Sequence, residues 1–166
     1  YINGPLAIST RPISDDNYDF KFPIGTTDKY GEVKLTFIQT NDEATIYRVS
    51  RLESNIPTHN LIAGIDRVSP ARYWQITNGG VENFTNAEIT LPVDIADNVA
   101  INDAIIAKAS ENTWENLGGE LNSIPGSITS EESFISLGDF IVGAANSLNA
   151  ENQTPKRHDK SNNLTL

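Results

Sequence analysis

Cysteine and methionine are both absent from the 166-residue sequence. Without cysteine the chain has no disulfide, no thiolate metal ligand and no cysteine nucleophile. The two histidines are His59 and His158, which we expect in a loop and in a tail, so a histidine-based triad or metal cage has little material. The sequence also has no apolar run near the roughly 18 residues of a membrane span, and we expect no membrane insertion.

Enzyme motifs are missing as well. The sequence has no H-E-x-x-H, no G-x-S-x-G, no P-loop and no dinucleotide fingerprint. A glycosidase needs two carboxylates at a suitable distance, and a chain with 22 acidic residues contains many such pairs. The carboxylate content therefore does not indicate a glycosidase. We therefore expect a protein that is not an enzyme.

Basic charge is scarce. The chain has 12 basic residues against 22 acidic ones, a net charge of −10. Such a chain repels phosphate backbones, and no cluster of lysine and arginine offsets the repulsion. We expect no nucleic-acid partner. The sequence begins at Tyr1 without a signal peptide, which predicts a processed polypeptide or a piece of a longer one, with any export signal upstream.

Short stretches in which apolar and polar residues alternate are frequent, and turn-forming residues separate them. This pattern predicts about ten strands in an all-β fold, an antiparallel β-sandwich of immunoglobulin-like or jelly-roll-like type. The predicted strands are Tyr1–Ile8, Tyr18–Ile24, Glu32–Gln39, Ala44–Leu52, Arg72–Ile76, Asn86–Pro92, Ala104–Ala109, Thr113–Leu117, Ser127–Ser130 and Ile135–Val142.

Three details of this sandwich follow from local sequence. Thr40–Glu43 suits a hairpin loop, so the strands on either side should pair antiparallel. Pro23 lacks an N–H donor and places its strand near an edge or at a strand end. The connection Glu53–Arg67 carries Leu61, Ile62 and Ile65, which we expect to fold over the edge of the core.

The segment V-S-P-A-R-Y-W-Q-I, residues 68–76, is predicted to be the centre of the core. Trp74 and Ile76 alternate onto one face, and a buried indole covers about 150 to 250 Å². The alternative is a sugar-stacking platform that includes Tyr73. Trp114 in W-E-N-L-G-G could likewise be a core residue or an exposed ring that stacks on a ligand. For both tryptophans the core position is favoured, because large aromatic residues are more often buried.

Three groups of candidate site residues remain. The loop around Asp15, Asp16, Asn17 and Asp19 offers oxygen ligands for calcium, the one cofactor we consider, although a solvated acidic loop is favoured. Asp94, Asp97 and Asn98 form a weaker group of the same kind. The candidate ligand-binding residues are Tyr18, Tyr73, Trp114, Glu115 and Asn116, since carbohydrate modules place aromatic rings beside polar side chains.

The composition divides the chain into a sandwich module over 1–143 and a polar C-terminal tail or linker over 144–166. The tail ends in Leu164-Thr165-Leu166. These residues could add a strand to an exposed sheet edge of the same or of a neighbouring chain. A homo-oligomer formed through the terminal segments is therefore one expectation.

Six motifs in order resemble a module of large secreted and cell-surface proteins of Bacteroidota. They are Y-I-N-G-P-L, F-P-I-G with Tyr30 after it, V-S-P-A-R-Y-W-Q-I, W-E-N-L-G-G, G-S-I-T-S and S-L-G-D-F-I-V-G, spread over 1–143. In such proteins the module commonly precedes a type IX secretion sorting domain. No sorting domain follows in this sequence, which ends in the polar tail.

The resemblance implies an extracellular or cell-surface β-sandwich module without known catalytic residues. We expect a structural or adhesive role, with a polysaccharide or a neighbouring protein chain as partner. Two alternatives stay open: a carbohydrate-binding module, and a self-assembling subunit of a surface filament or complex.

Overall fold

Two β-sheets packed against each other make up most of the structure, a computed structural model that describes residues 4–9, 17–25, 30–39, 44–79 and 84–145. The all-β prediction is confirmed. The strands are β1 Leu6–Ser9, β2 Asn17–Gly25, β3 Tyr30–Gln39, β4 Ile46–Leu52, β5 Asn60–Leu61, β6 Ile65–Val68, β7 Tyr73–Asn78, β8 Phe84–Pro92, β9 Ala104–Ser110, β10 Thr113–Asn116, β11 Glu120–Leu121, β12 Ser127–Thr129 and β13 Gly138–Ala145. Two 3₁₀ turns, Ile95–Asp97 and Ile101–Asp103, separate β8 from β9.

The larger sheet has the strand order β1-β4-β7-β13-β9-β10-β5, and β6 also pairs with β13. The smaller sheet has the order β11-β12-β8-β3-β2. Neighbouring strands are antiparallel, except that β10 and β5 are parallel. Pro23 lies in β2, at an edge of the smaller sheet, which agrees with its missing N–H donor.

Apolar side chains from both sheets form the main core. Alternation along each strand turns one set of residues inward, as the sequence pattern predicts: Val33, Leu35 and Phe37 in β3, Tyr47 and Val49 in β4, Ala87, Ile89 and Leu91 in β8. Trp74 and Ile76 of β7 belong to this core and are 1% and 0% exposed. The prediction that Trp74 is a core residue is confirmed.

The hairpin predicted around Thr40–Glu43 is wrong. The strand before it, β3, pairs with β2 and β8, whereas the strand after it, β4, pairs with β1 and β7. The chain therefore passes from one sheet to the other at this point. Alternation fixes which face of a strand is buried but does not specify which strand lies beside it. Neither β3 nor β4 pairs with the strand that follows it in sequence.

Strands β6 and β7 lie one after the other along the same edge of β13. Val68 pairs with Gly143, and Trp74 pairs with Phe140. Between these two pairs the β6–β7 segment has five residues, whereas β13 has only two. Residues 69–72 therefore bulge out of the ladder. The segment V-S-P-A-R-Y-W is thus an interrupted strand, and Arg72 lies in the interruption.

A second, smaller apolar cluster covers the outer face of the larger sheet. It contains Ile65, Tyr73, Ile105, Ala107, Trp114 and Ile141, with Leu52 and Ile56 packed against it. The connection between β4 and β6 supplies part of this cover, as expected for Ile65. Leu61 and Ile62 of the same connection are 43% and 39% exposed, so the expectation that they cover the core edge is wrong.

The last strand, β13, continues through Ala144 and Ala145, and Ala144 is buried. The sheet therefore extends two residues past the boundary at 143 that composition suggests. Most of the polar tail, with Leu164-Thr165-Leu166, lies outside the described residues.

Candidate functional site

Of the candidate aromatic residues, Tyr73 and Trp114 are buried and do not form a sugar platform. Trp114 is 1% exposed and its ring meets the His59 ring edge-on at 5.0 Å between centroids. Tyr73 is 8% exposed, in the same outer cluster. Both rings are buried because alternation turns them toward the connection that covers this face of the larger sheet. The side chain of Tyr18 lies outside the part of the chain that can be described.

The polar neighbours of Trp114 also have other positions. Glu115 is exposed and points to the opposite face of β10 from Trp114, opposite Lys108 of β9. Asn116 donates from Nδ2 to the Gly64 carbonyl at 3.4 Å and accepts from the Gly118 N–H at 2.8 Å. The structure therefore does not bring Trp114, Glu115 and Asn116 together at one surface, and Asn116 anchors two turns instead.

The acidic loop falls largely outside the described residues, since Asp15 and Asp16 precede β2 and the side chain of Asn17 is not described. Asp19 lies on the outer face of β2, where it accepts from Thr36 Oγ1 at 2.7 Å and lies 3.6 Å from Lys34 Nζ. Calcium binding there stays a prediction, tested by a calcium-dependent rise in melting temperature that a chelator reverses. Within the described ranges, no group of three or more His, Asp or Glu side chains could hold a metal ion.

A buried ion pair that the sequence did not predict joins the bulge to the turn after β8. Arg72 and Asp97 have side chains that are 3% and 0% exposed. Arg72 Nε donates to Asp97 Oδ1 at 3.0 Å, and Nη2 donates to Asp97 Oδ2 at 2.6 Å. This bidentate geometry suits a desolvated pair, because each charge needs a partner once water is removed.

Asp97 accepts two further hydrogen bonds. Ser69 Oγ donates to its Oδ1 at 2.8 Å, and the Asp94 N–H donates to its Oδ2 at 2.8 Å. The Asp94 side chain accepts from the Ala96 N–H at 2.8 Å and also from the Asp97 N–H, so the two acids form a capping box around the 3₁₀ turn. The weak ion-site hypothesis for Asp94 and Asp97 is corrected: Asp97 uses its oxygens to hold the bulge and the turn together.

Arg72 also links this network to the core. Its guanidinium carbon lies 5.0 Å from the centroid of the Trp74 ring, within cation–π range. Nη2 donates a longer bond of 3.3 Å to the Pro92 carbonyl. The predicted centre of the core and the buried ion pair are therefore one unit, and the arginine two residues before the tryptophan connects them.

A groove of about 480 Å³ lies directly over this unit. Its walls are residues 92–95, at the end of β8 and after it, and residues 124–127, before and within β12. The lining is completed by Gly31 and Glu32 of β3 and by Arg72. Gly31 allows β3 to approach closely, because a Cβ there would lie 2.6 Å from Pro92 Cγ. The volume falls in the range of about 300 to 1,000 Å³ typical of ligand sites.

The rim of the groove is apolar and acidic. Ile95 is 94% exposed and Ile124 is 38% exposed, on opposite walls. Asp94 Oδ2 lies 4.0 Å from Arg72 Nη1, and Glu32 Oε1 lies 3.5 Å from Lys21 Nζ. Three carboxylates, those of Asp94, Asp97 and Glu32, therefore lie near two cations. The cations are Arg72 and Lys21.

No helix of the described chain is long and apolar enough to cross a membrane, since its helical segments are 3₁₀ turns of three residues. Comparisons with models of protein families, with curated proteins and with solved structures gave no match.

Proposed function

We propose that the chain is a non-enzymatic structural or adhesive module of an extracellular bacterial surface protein, and that it acts by holding a neighbouring protein chain. The two-sheet architecture is common among cell-surface modules, and the sequence motifs resemble those of Bacteroidota surface proteins. The observation that carries the function is the groove beside Arg72, because its rim presents an exposed isoleucine on a firmly held turn.

The groups around the groove support binding rather than catalysis. Asp97 accepts four hydrogen bonds and Asp94 caps the adjacent turn, so both carboxylates have structural partners. The Arg72 guanidinium is held by Asp97 and lies over the Trp74 ring. A general acid or base must instead be free to exchange a proton with a bound substrate.

A carbohydrate-binding role has less support. Modules of that kind commonly stack sugars on exposed aromatic rings, and Tyr73 and Trp114 are 8% and 1% exposed. A glycan array with the purified chain tests this alternative directly. We expect no glycan to bind in the micromolar range, and selective binding of one polysaccharide class would contradict the proposed function.

Export is the second test. The chain would be fused between a signal peptide and a type IX sorting domain and produced in a Bacteroidota host. It should then be labelled on the surface of intact cells, whereas a matched fusion without the sorting domain should not. Light scattering of the purified chain over a concentration series, with and without calcium, separates this function from self-assembly, which requires concentration-dependent oligomers.

A further inference from the structure

We propose that the groove beside Arg72 binds an extended segment of a neighbouring polypeptide in which a branched apolar side chain lies beside lysine or arginine. This inference rests on the proposed function and names the chemistry of the partner. It follows from three properties of the described residues: firm walls, an exposed apolar rim, and an excess of negative charge.

The first wall is held by hydrogen bonds at both ends of its turn. Asp94 and Asp97 cap each other at the start. At the end, Asn98 adopts a left-handed φ of 55°, and its carbonyl accepts from Arg67 Nε and Nη2 at 3.2 and 3.0 Å. The Ile95 side chain is thus presented to solvent by a fixed backbone.

The second wall is joined to the first and braced from behind. The Val93 N–H donates to the Gly126 carbonyl at 2.7 Å, across the groove floor. Asn122 Oδ1 accepts from the Ile124 N–H at 2.7 Å and lies 2.9 Å from Ser127 Oγ. A groove with walls fixed in this way loses little conformational entropy when a ligand binds.

The apolar rim gives the ligand its first requirement. Ile95 is 94% exposed, although nothing in the capped turn requires an isoleucine there. Across the groove, Ile124 is partly exposed, and Pro92, Val93 and Pro125 line the space between. An apolar side chain of a partner would be removed from water on both sides, a favourable change in proportion to the area covered.

The charge distribution gives the second requirement. Asp97 neutralises the Arg72 guanidinium, and Lys21 Nζ lies 3.5 Å from Glu32 Oε1. With Asp94, which lies 4.0 Å from Arg72 Nη1, the carboxylates at the groove exceed the cations by one. The whole chain carries a net charge of −10. A second copy of this chain would bring the same excess of negative charge, so a basic segment of a different chain is the favoured occupant.

The test is an amide NMR titration of the full chain with three synthetic peptides. The probe is acetyl-Ser-Lys-Ile-Lys-Ser-amide, and its matched controls replace both lysines by glutamate or the isoleucine by glycine. We expect the probe to shift the amide resonances of Gly31, Val93, Ile95 and Gly126, with each control binding at least about tenfold more weakly. Added salt should weaken probe binding.

Variants locate the contact. Ile95→Ser should weaken probe binding about tenfold, whereas Ile135→Ser, at an isoleucine that is 73% exposed and does not line the groove, should leave it unchanged. The pair Glu32→Gln with Asp94→Asn should reduce the preference for lysine over glutamate. Asparagine still accepts the capping hydrogen bond, so the turn should stay folded.

Three results would overturn the inference. If the glutamate peptide shifts the groove as strongly as the probe, or if no peptide shifts it, the partner chemistry is wrong while the module can still be a non-enzymatic surface protein. If maltohexaose shifts the same four amides instead, the groove is a sugar site and the proposed function fails as well.

Discussion

Trp74 and Trp114 are equally buried, at 1% exposure each, but different parts of the molecule bury them. Trp74 lies between the two sheets, in a cluster of twenty buried side chains. Trp114 lies on the outer face of the larger sheet, in a cluster of six, beneath a connection that has many exposed residues. The same degree of burial therefore corresponds to two different energetic situations.

The two central strands of the larger sheet explain how both clusters exist. In β13, Phe140 and Val142 face the main core, whereas Ile141 faces the outer cluster. In β9, Ile106 and Ile105 divide in the same way. Strands that are covered on both faces are continuously apolar, as is the run Ala104–Ala107 in β9.

The largest effect is expected at the main core. Trp74→Ala should lower the free energy of unfolding by about 5 kcal/mol, because it leaves a large cavity between two sheets that cannot close and removes the ring beneath Arg72. Urea denaturation of the variant measures this loss. A loss below about 2 kcal/mol would contradict the assignment of Trp74 to a rigid core.

Asp97→Ala should cost nearly as much, about 4 kcal/mol, because it leaves the Arg72 guanidinium buried without its counter-charge. The double variant Arg72→Met with Asp97→Leu should recover most of that loss, since an apolar pair needs no counter-charge. Asp66→Ala is the matched control, because the Asp66–Arg67 pair has a similar distance of 2.8 Å but side chains about half exposed. It should cost less than about 1 kcal/mol.

The sequence predicts the faces of the strands well and their partners poorly. The inward residues of β3, β4 and β8 follow from alternation, which depends only on neighbours along the chain. The separation of β3 and β4 into different sheets does not, because a polar turn looks the same whether it closes a hairpin or crosses between sheets.

The candidate site could be predicted only in fragments. Arg72 and Asp97 are 25 residues apart, and no local pattern signals that they meet. The one available signal is the D-x-x-D spacing of Asp94 and Asp97, which is typical of a capped turn. The bulge after Pro70 that turns Arg72 toward Asp97 depends on the pairing of two strands with β13, and is a tertiary property.

Trp114→Ala should have a smaller and more local effect, about 3 kcal/mol. The connection that covers Trp114 is anchored by few backbone bonds, among them the Asn60 N–H to the Asn112 carbonyl at 2.8 Å. Hydrogen exchange should therefore accelerate more at Asn60 and Ile65 than at Ile89 in the smaller sheet. Glu115→Ala, at the exposed neighbour, serves as the control, and equal acceleration in both sheets would mean that the two clusters form one cooperative unit.

The smallest effect is expected at Tyr73, in the outer cluster. Burial raises the pKa of its hydroxyl above 10.0, and the Asp139 carboxylate adds to the shift. The unfolded state then loses this proton at a lower pH than the folded state does. The resulting stabilisation is complete below about pH 10 and is lost as the pH rises through the folded pKa.

Tyr73→Phe isolates this contribution from the other groups that titrate at high pH. The free energy of unfolding of the native chain should fall more steeply above pH 10 than that of the phenylalanine variant, and the two slopes should agree below pH 9. Asp139→Asn should reduce the difference without abolishing it, because burial is the larger cause of the shift. If the free energy of unfolding falls with equal slope above pH 10 in the native chain and both variants, the connection over the outer cluster opens before Tyr73 ionises. The outer cluster would then be less firmly closed than the main core.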